Sequence, residues 1–130
     1  MPRVLVVDDT ESIRMLIRTN LEIAGFDVDE AVDGAACLER LGAAEALPDA
    51  ITVDVMMPRL DGYATVTAIR SDPRLADLAI VMVTTQNHPA DIARATEVGV
   101  DHFLVKPFDP DELITELHRA IATRSGSSSS

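Results

Sequence analysis

Apolar runs of four to six residues alternate along the chain with longer stretches in which apolar positions recur every three or four residues, and the alternation repeats five times. Strand one covers Arg3 to Val7, strand three Ala50 to Val53, strand four Ala79 to Val83 and strand five His102 to Val105. Apolar over most of their length, these runs suit short strands buried on both faces. The second run, Phe26 to Ala31, alternates apolar and polar residues, as an edge strand does when one face meets water.

Five helical patterns separate and follow the runs. The first starts at Thr10, a suitable N-cap, sets Ile13, Leu16, Ile17, Leu21 and Ala24 on one face and closes at Gly25. The second runs from about Asp33 to Ala46, the third from Asp61-Gly62 to just before Asp72-Pro73, and the fourth from near Pro89 to Gly99. The fifth has the clearest start: Asp109 can cap, Pro110 fits the first helical position, and Glu112 completes a capping box. Leu113, Leu117, Ala120 and Ile121 then form its apolar stripe. Strands joined through helices by short connections imply right-handed crossovers, hence an α/β fold with a doubly wound, five-stranded parallel sheet covered by helices on both faces. Strand two as an edge favours the order 2-1-3-4-5, with a ligand crevice between the ends of strands one and three.

Length and composition narrow the function. At 130 residues, 47% hydrophobic and 25% charged, the chain reads as one globular domain. Eleven Lys and Arg against 22 Asp and Glu leave a net charge of −11, which repels a phosphate backbone and argues against direct nucleic-acid binding. Cys37 is the single cysteine, so an internal disulfide is excluded; in the second helix it reads as a small packing residue. No apolar stretch approaches the roughly 20 residues of a membrane span, and Met-Pro-Arg followed by a strand lacks a signal-peptide core. A cytoplasmic protein without membrane contact is expected. His88, His102 and His118 have no metal-ligand spacing. Ser125 to Ser130 reads as a flexible Ser/Gly tail, the start of a linker or a cloning scar.

The informative chemistry stands at the strand ends. Asp8-Asp9 follows strand one, Asp54 strand three, Thr84-Thr85 strand four and Lys106-Pro107 strand five. Singly, each has a plainer reading: caps for the aspartates, a solvated lysine, a β-branched strand residue for Thr84. Together they converge in one crevice. Three carboxylates there would repel one another without a cation, and hard oxygen donors describe Mg²⁺. A lysine adds one compact charge for a phosphoryl oxygen or for Asp54, and a threonine a hydroxyl donor.

With Val4-Leu-Val-Val-Asp-Asp9, Asp54-Val-Met-Met-Pro58, Asp61-Gly62, Val83-Thr84 and Lys106-Pro-Phe108 in place, the chain resembles the response-regulator receiver domain of two-component signalling, with a chemotaxis-regulator-like, flavodoxin-like fold. The resemblance covers about Pro2 to Arg124, a domain of residues 1–124. It implies that Asp54 is the phospho-acceptor in a Mg²⁺-dependent reaction, and that Asp9 and Asp54 bind the metal directly. Asp8 would act mainly through water, and the Met56 backbone carbonyl would complete the protein ligands. Lys106 would pair with Asp54 and then with the phosphoryl group, while Thr84 and Phe103 act as the coupled switch pair. The implied partners are a sensor histidine kinase or histidine phosphotransfer protein, recognised through positions such as Ser12, Arg14 and Met15, and a downstream target at the face of helix four, strand five and helix five. That face also allows a phosphorylation-dependent homodimer.

Three positions depart from the common pattern or vary within it. Thr85 is larger than the usual residue after the switch threonine and would narrow access to the site. Met56 and Gln86 occupy places that tune phosphoryl loss, and apolar Met56 cannot position water, so a long-lived phospho-form is expected. Helix four, with Ile92 and Val98 as its large anchors, is expected to be loosely held. Thr52 reads as a tolerated buried hydroxyl.

Two other function classes compare poorly. An aspartate-nucleophile phosphatase of the haloacid-dehalogenase type needs an Asp where Met56 stands. A pseudo-receiver that only docks partners gains no support, since the whole residue set is present. In helix five, Glu112-Leu113 is followed by Ile114-Thr115-Glu116 and not by the Ala-Arg of the DNA-binding subfamily, which favours a stand-alone receiver or one joined to an enzymatic module. The chain is thus expected to be a signalling domain that catalyses only its own phosphorylation and dephosphorylation.

Overall fold

The computed structural model describes residues 2–85 and 88–128, with side chains as far as Arg124. Elements alternate as β1 (Arg3–Val7), α1 (Glu11–Ile23), β2 (Asp27–Ala31), α2 (Gly34–Ala43), β3 (Ala50–Val53), α3 (Gly62–Ser71), β4 (Ala79–Thr84), α4 (Pro89–Val98), β5 (His102–Val105) and α5 (Pro110–Ser128). The sheet order is β2-β1-β3-β4-β5, and every neighbouring pair is parallel. Strand β2 is the edge expected from its alternation, with Asp27 and Asp29 exposed.

Two cores follow from the period of two along each strand. Leu5, Val7, Ile51, Val53, Ile80 and Met82 point to one face, where Cys37 and Leu41 of α2, Val66 and Ile69 of α3 and Ala95 of α4 cover them. Val4, Val6, Ala50, Val81 and Val83 point to the other, under Ile17 and Leu21 of α1 and Leu113, Leu117 and Ala120 of α5. Burial pushes the Cys37 thiol up to about 12, so it packs as an apolar group. Thr52 is buried with a hydroxyl that has no protein partner among the described residues, a desolvation cost of about 1–3 kcal/mol.

Local expectations shift where tertiary contacts intervene. Leu16, expected on the inner face of α1, is 47% exposed, because Ile13, Ile17 and Leu21 fill the groove and Leu16 lies at the rim of their stripe. Ala24 is exposed as the C-cap of α1, and Gly25 follows with φ 97°. Phe26 precedes β2 and packs its ring 4.8 Å from that of His118. Helix α2 stops at Ala43, short of Ala46, since Ala44 turns extended and the Arg74 guanidinium takes the Leu41 carbonyl at 2.7 Å. Asp109 caps α5 through the Asp111 amide at 2.9 Å, in place of the box expected with Glu112. Helix α5 runs through Ser128, into the segment expected as a tail; a helix already nucleated extends at the gain of one hydrogen bond per residue. Ser129, Ser130 and Gln86 lie outside the described residues. Among the described residues no helix is long and apolar enough to cross a membrane.

Candidate functional site

Strands β1 and β3 pair directly, so their C-terminal ends deliver Asp8, Asp9 and Asp54 to one place. One carboxylate oxygen of each lies within 4.8 Å of the others. Asp8 and Asp54 are buried and Asp9 is exposed. Such a set of hard donors, two of them desolvated, fits a divalent cation held by carboxylate oxygen. Lys106 reaches the trio from the end of β5: its Nζ lies 2.8 Å from Asp8 Oδ2 and 3.4 Å from Asp54 Oδ2. The nearer partner is therefore Asp8, where the residue pattern pointed to Asp54. The Lys106–Pro107 peptide is cis.

Each acid is also held by its own surroundings. The Asp8 carboxylate accepts from the Thr10 amide at 2.9 Å, so Asp8 organises the start of α1, and the Thr10 hydroxyl makes no capping bond. Arg14 donates to the Asp8 carbonyl oxygen at 2.9 Å and is fixed in turn by Glu30, also at 2.9 Å. Asp54 Oδ1 accepts from the Val55 amide at 2.7 Å. Burial pushes the Asp54 carboxyl above its ordinary range, Lys106 opposes that shift, and the Asp8 charge adds to it.

The sign of this shift gives a stability prediction. A carboxyl raised on folding binds more protons in the native state, so its contribution favours folding as pH falls through the native pKa and opposes folding above it. Asp54→Asn is therefore expected to unfold at higher temperature than the parent at pH 7 in EDTA, with the gap closing as pH falls toward 4. A thermal scan in which the gap is constant with pH would contradict the burial argument.

Gly62, in the sequence a helix start and part of the Asp61-Gly62 motif, lies directly against the backbone of Asp54. A Cβ there would stand 2.2 Å from the Asp54 carbonyl oxygen, and the Gly62 amide donates to Val55 O at 2.9 Å. The loop between β3 and α3 is tied back further along. Arg59, at φ 66°, grips Asp33 with two bonds of 2.8 Å and holds that carboxyl below its usual range. Asp33 meanwhile caps α2 through the Ala36 amide at 2.8 Å.

Thr84 is fully buried, and its carbonyl accepts from the Lys106 amide at 2.8 Å, which ties the ends of β4 and β5 together. Phe103 is half-buried against the core on the α2–α4 side. Above the acids opens a cleft of ≈ 530 Å³ whose walls include Ile13, Leu16, Met56, Thr85 and Phe108. Met56 is 62% exposed, and Thr85 stands exposed at the mouth, where the sequence had placed a narrowing.

The response regulator receiver domain, as a family model, matches residues 4–118. The chain belongs to that family. The receiver is 38% identical over 124 residues to the DNA-binding dual master transcriptional regulator RpaA of Synechocystis, covering 95% of this chain and 50% of that protein. It is 38% identical over 112 residues to Protein PilG of Pseudomonas aeruginosa, covering 86% of this chain and 82% of PilG. The chemotaxis protein CheY4 of Vibrio cholerae superimposes with a TM-score of 0.85 at 37% identity, covering 92% of this chain and 98% of that one. This receiver spans about half the length of the transcriptional regulators it matches. It is a response-regulator receiver of a two-component system, with the five-stranded parallel sheet of its structural neighbours.

Proposed function

We propose that this receiver is a phosphorylation-controlled switch in which Asp54 takes a phosphoryl group from a phosphohistidine of a sensor histidine kinase or histidine phosphotransfer protein, in a Mg²⁺-dependent reaction. The observation that supports it is the buried carboxylate of Asp54, with Asp8 and Asp9 within 4.8 Å and Lys106 at 3.4 Å. Asp54 carries the nucleophilic oxygen: an O–P bond forms as the donor P–N bond breaks, and the imidazole leaves with the electron pair. Asp9, Asp54 and the Met56 carbonyl would hold Mg²⁺ directly and Asp8 through water; bound there, the ion supplies positive charge against the transferred oxygens. Lys106 stands beside Asp54 Oδ2, placed to follow the added charge, and Thr84, at the end of β4, would donate its hydroxyl to the transferred group. Phe103 completes the switch pair. The signal leaves through the α4, β5 and α5 face, to a target or to a second copy of the receiver.

The receiver spans residues 1–124, acts in the cytoplasm and turns over no external substrate. The net charge of −11 keeps this domain off nucleic acid. The test is incubation with acetyl phosphate and Mg²⁺ followed by intact mass. One phosphoryl adduct that disappears in Asp54→Asn and without Mg²⁺ is expected; an adduct that persists in Asp54→Asn overturns the assignment. A second measurement addresses lifetime. With exposed Met56 unable to orient water and Thr85 at the mouth, the adduct is expected to outlast minutes after donor removal, and loss within seconds would refute that.

A further inference from the structure

Helix α4 has few apolar anchors. Only Ala95 is buried, and Ile92, expected to face inward, is 43% exposed. What seats the helix comes from α3. At the N-terminal end the Tyr63 hydroxyl, on a buried ring, lies 3.3 Å from the Asp91 carbonyl oxygen and 3.5 Å from its carboxylate. That carboxylate accepts from the His88 amide at 3.2 Å. Less than one turn on, the Arg94 guanidinium carbon sits 4.3 Å from the centre of the same ring, a cation–π contact. At the C-terminal end Arg70 donates to the Gly99 carbonyl at 2.9 Å. Tyr63, in the first turn of α3, therefore holds the first turns of α4.

Tyr63 follows Gly62, whose α-carbon abuts the Asp54 carbonyl and whose amide is bonded to Val55. Gly62 thus ties the backbone of Asp54 and Val55 to the residue that carries the ring. Burial, with the Asp91 charge second, pushes the phenol above its ordinary range, so the hydroxyl stays a donor.

We infer that Tyr63 is a positioning residue that couples Asp54 to α4, forming with Asp91 and Arg94 a latch that seats the helix while Asp54 is a free carboxylate. The inference rests on the acceptor role of Asp54 proposed above. A phosphoryl group on Asp54 pulls on the loop between β3 and α3; the shift passes through Gly62 to the ring and weakens a long hydroxyl bond and the cation–π contact together. By reciprocity, cutting the latch lowers the cost of leaving the seated state and tightens any ligand that favours the other state.

The test uses Tyr63→Phe, which keeps the ring and removes the hydroxyl, and Arg94→Gln, which removes the cation. Beryllofluoride affinity in Mg²⁺ and amide hydrogen exchange of α4 are measured for both and for the parent. Each variant is expected to bind beryllofluoride about fivefold tighter and to exchange faster in α4 before it is added. Equal affinities in all three proteins, even with lowered stability, would reduce Tyr63 to a packing residue and overturn the inference. Should the parent itself fail to bind beryllofluoride, the acceptor reading falls, and the coupling with it.

Discussion

Lys106→Met is expected to slow formation of the phosphoryl adduct roughly 10²- to 10³-fold, the usual effect of removing one preorganised charge from a transferred group. The same change should destabilise the fold at neutral pH. Lys106 is the ammonium bonded to Asp8 at 2.8 Å and near Asp54 at 3.4 Å, and both carboxylates are buried. Breaking a buried pair from one side leaves uncompensated charge, at a cost of about 3 kcal/mol. Because that cost is electrostatic, a cation should relieve it. Mg²⁺ is expected to raise the unfolding free energy more in Lys106→Met than in the parent, since it binds only the native cluster. Chemical denaturation at pH 7 in EDTA and in Mg²⁺ measures both effects. Equal Mg²⁺ stabilisation of the two proteins would show that the lysine and the cation do not answer the same charge.

Gly62→Ala is expected to lose about 2–4 kcal/mol of stability and to impair the adduct reaction as well. The added methyl would sit 2.2 Å from the Asp54 carbonyl oxygen and 2.9 Å from the Val55 α-carbon. Both are backbone atoms at the end of a buried strand, so neither can rotate away. Either α3 backs off, loosening Val66 and Ile69 in the core, or Asp54 moves relative to Asp8 and Lys106. Gly42→Ala is the matched control: it lies within α2 with nothing inside 4 Å of the added atom. There, replacing glycine in a helix should stabilise by about 0.5 kcal/mol. If the two substitutions had similar effects in denaturant titrations, close approach at Gly62 would not be the reason for its glycine.

The expectations that met the structure cleanly were those resting on local pattern combined with a chirality rule. Apolar runs at Val4–Val7, Ala50–Val53 and Ile80–Val83 lie in strands buried on both faces, whereas Phe103–Val105, expected to be buried as well, lies in edge strand β5, where Leu104 alone is buried and Val105 is 37% exposed. Right-handed crossovers then leave few orders for five parallel strands, and the alternating β2 marks one edge. Convergence of Asp8, Asp9 and Asp54 follows from the pairing of β1 with β3, whereas Lys106, at the end of β5, reaches them past β4 with its long side chain.

Positions at the rim of a stripe were less legible. Leu16 and Ile92 both recur at helical spacing, yet both face outward. Periodicity gives the direction of a stripe but not its width, which depends on how deep the facing groove is. At α4 the groove is filled from the other side by Tyr63, so the anchor belongs to the neighbouring helix.

By itself, then, the sequence determined the strand order, the end of the sheet at which chemistry gathers and the residue types available there, because burial and chirality act on patterns a few residues long. The tertiary structure alone decided which acid Lys106 sits on, why Gly62 must lack a side chain, and how Tyr63 fastens α4. Those depend on separations of a few tenths of an ångström between elements distant in the chain, and such distances are set only when both cores close.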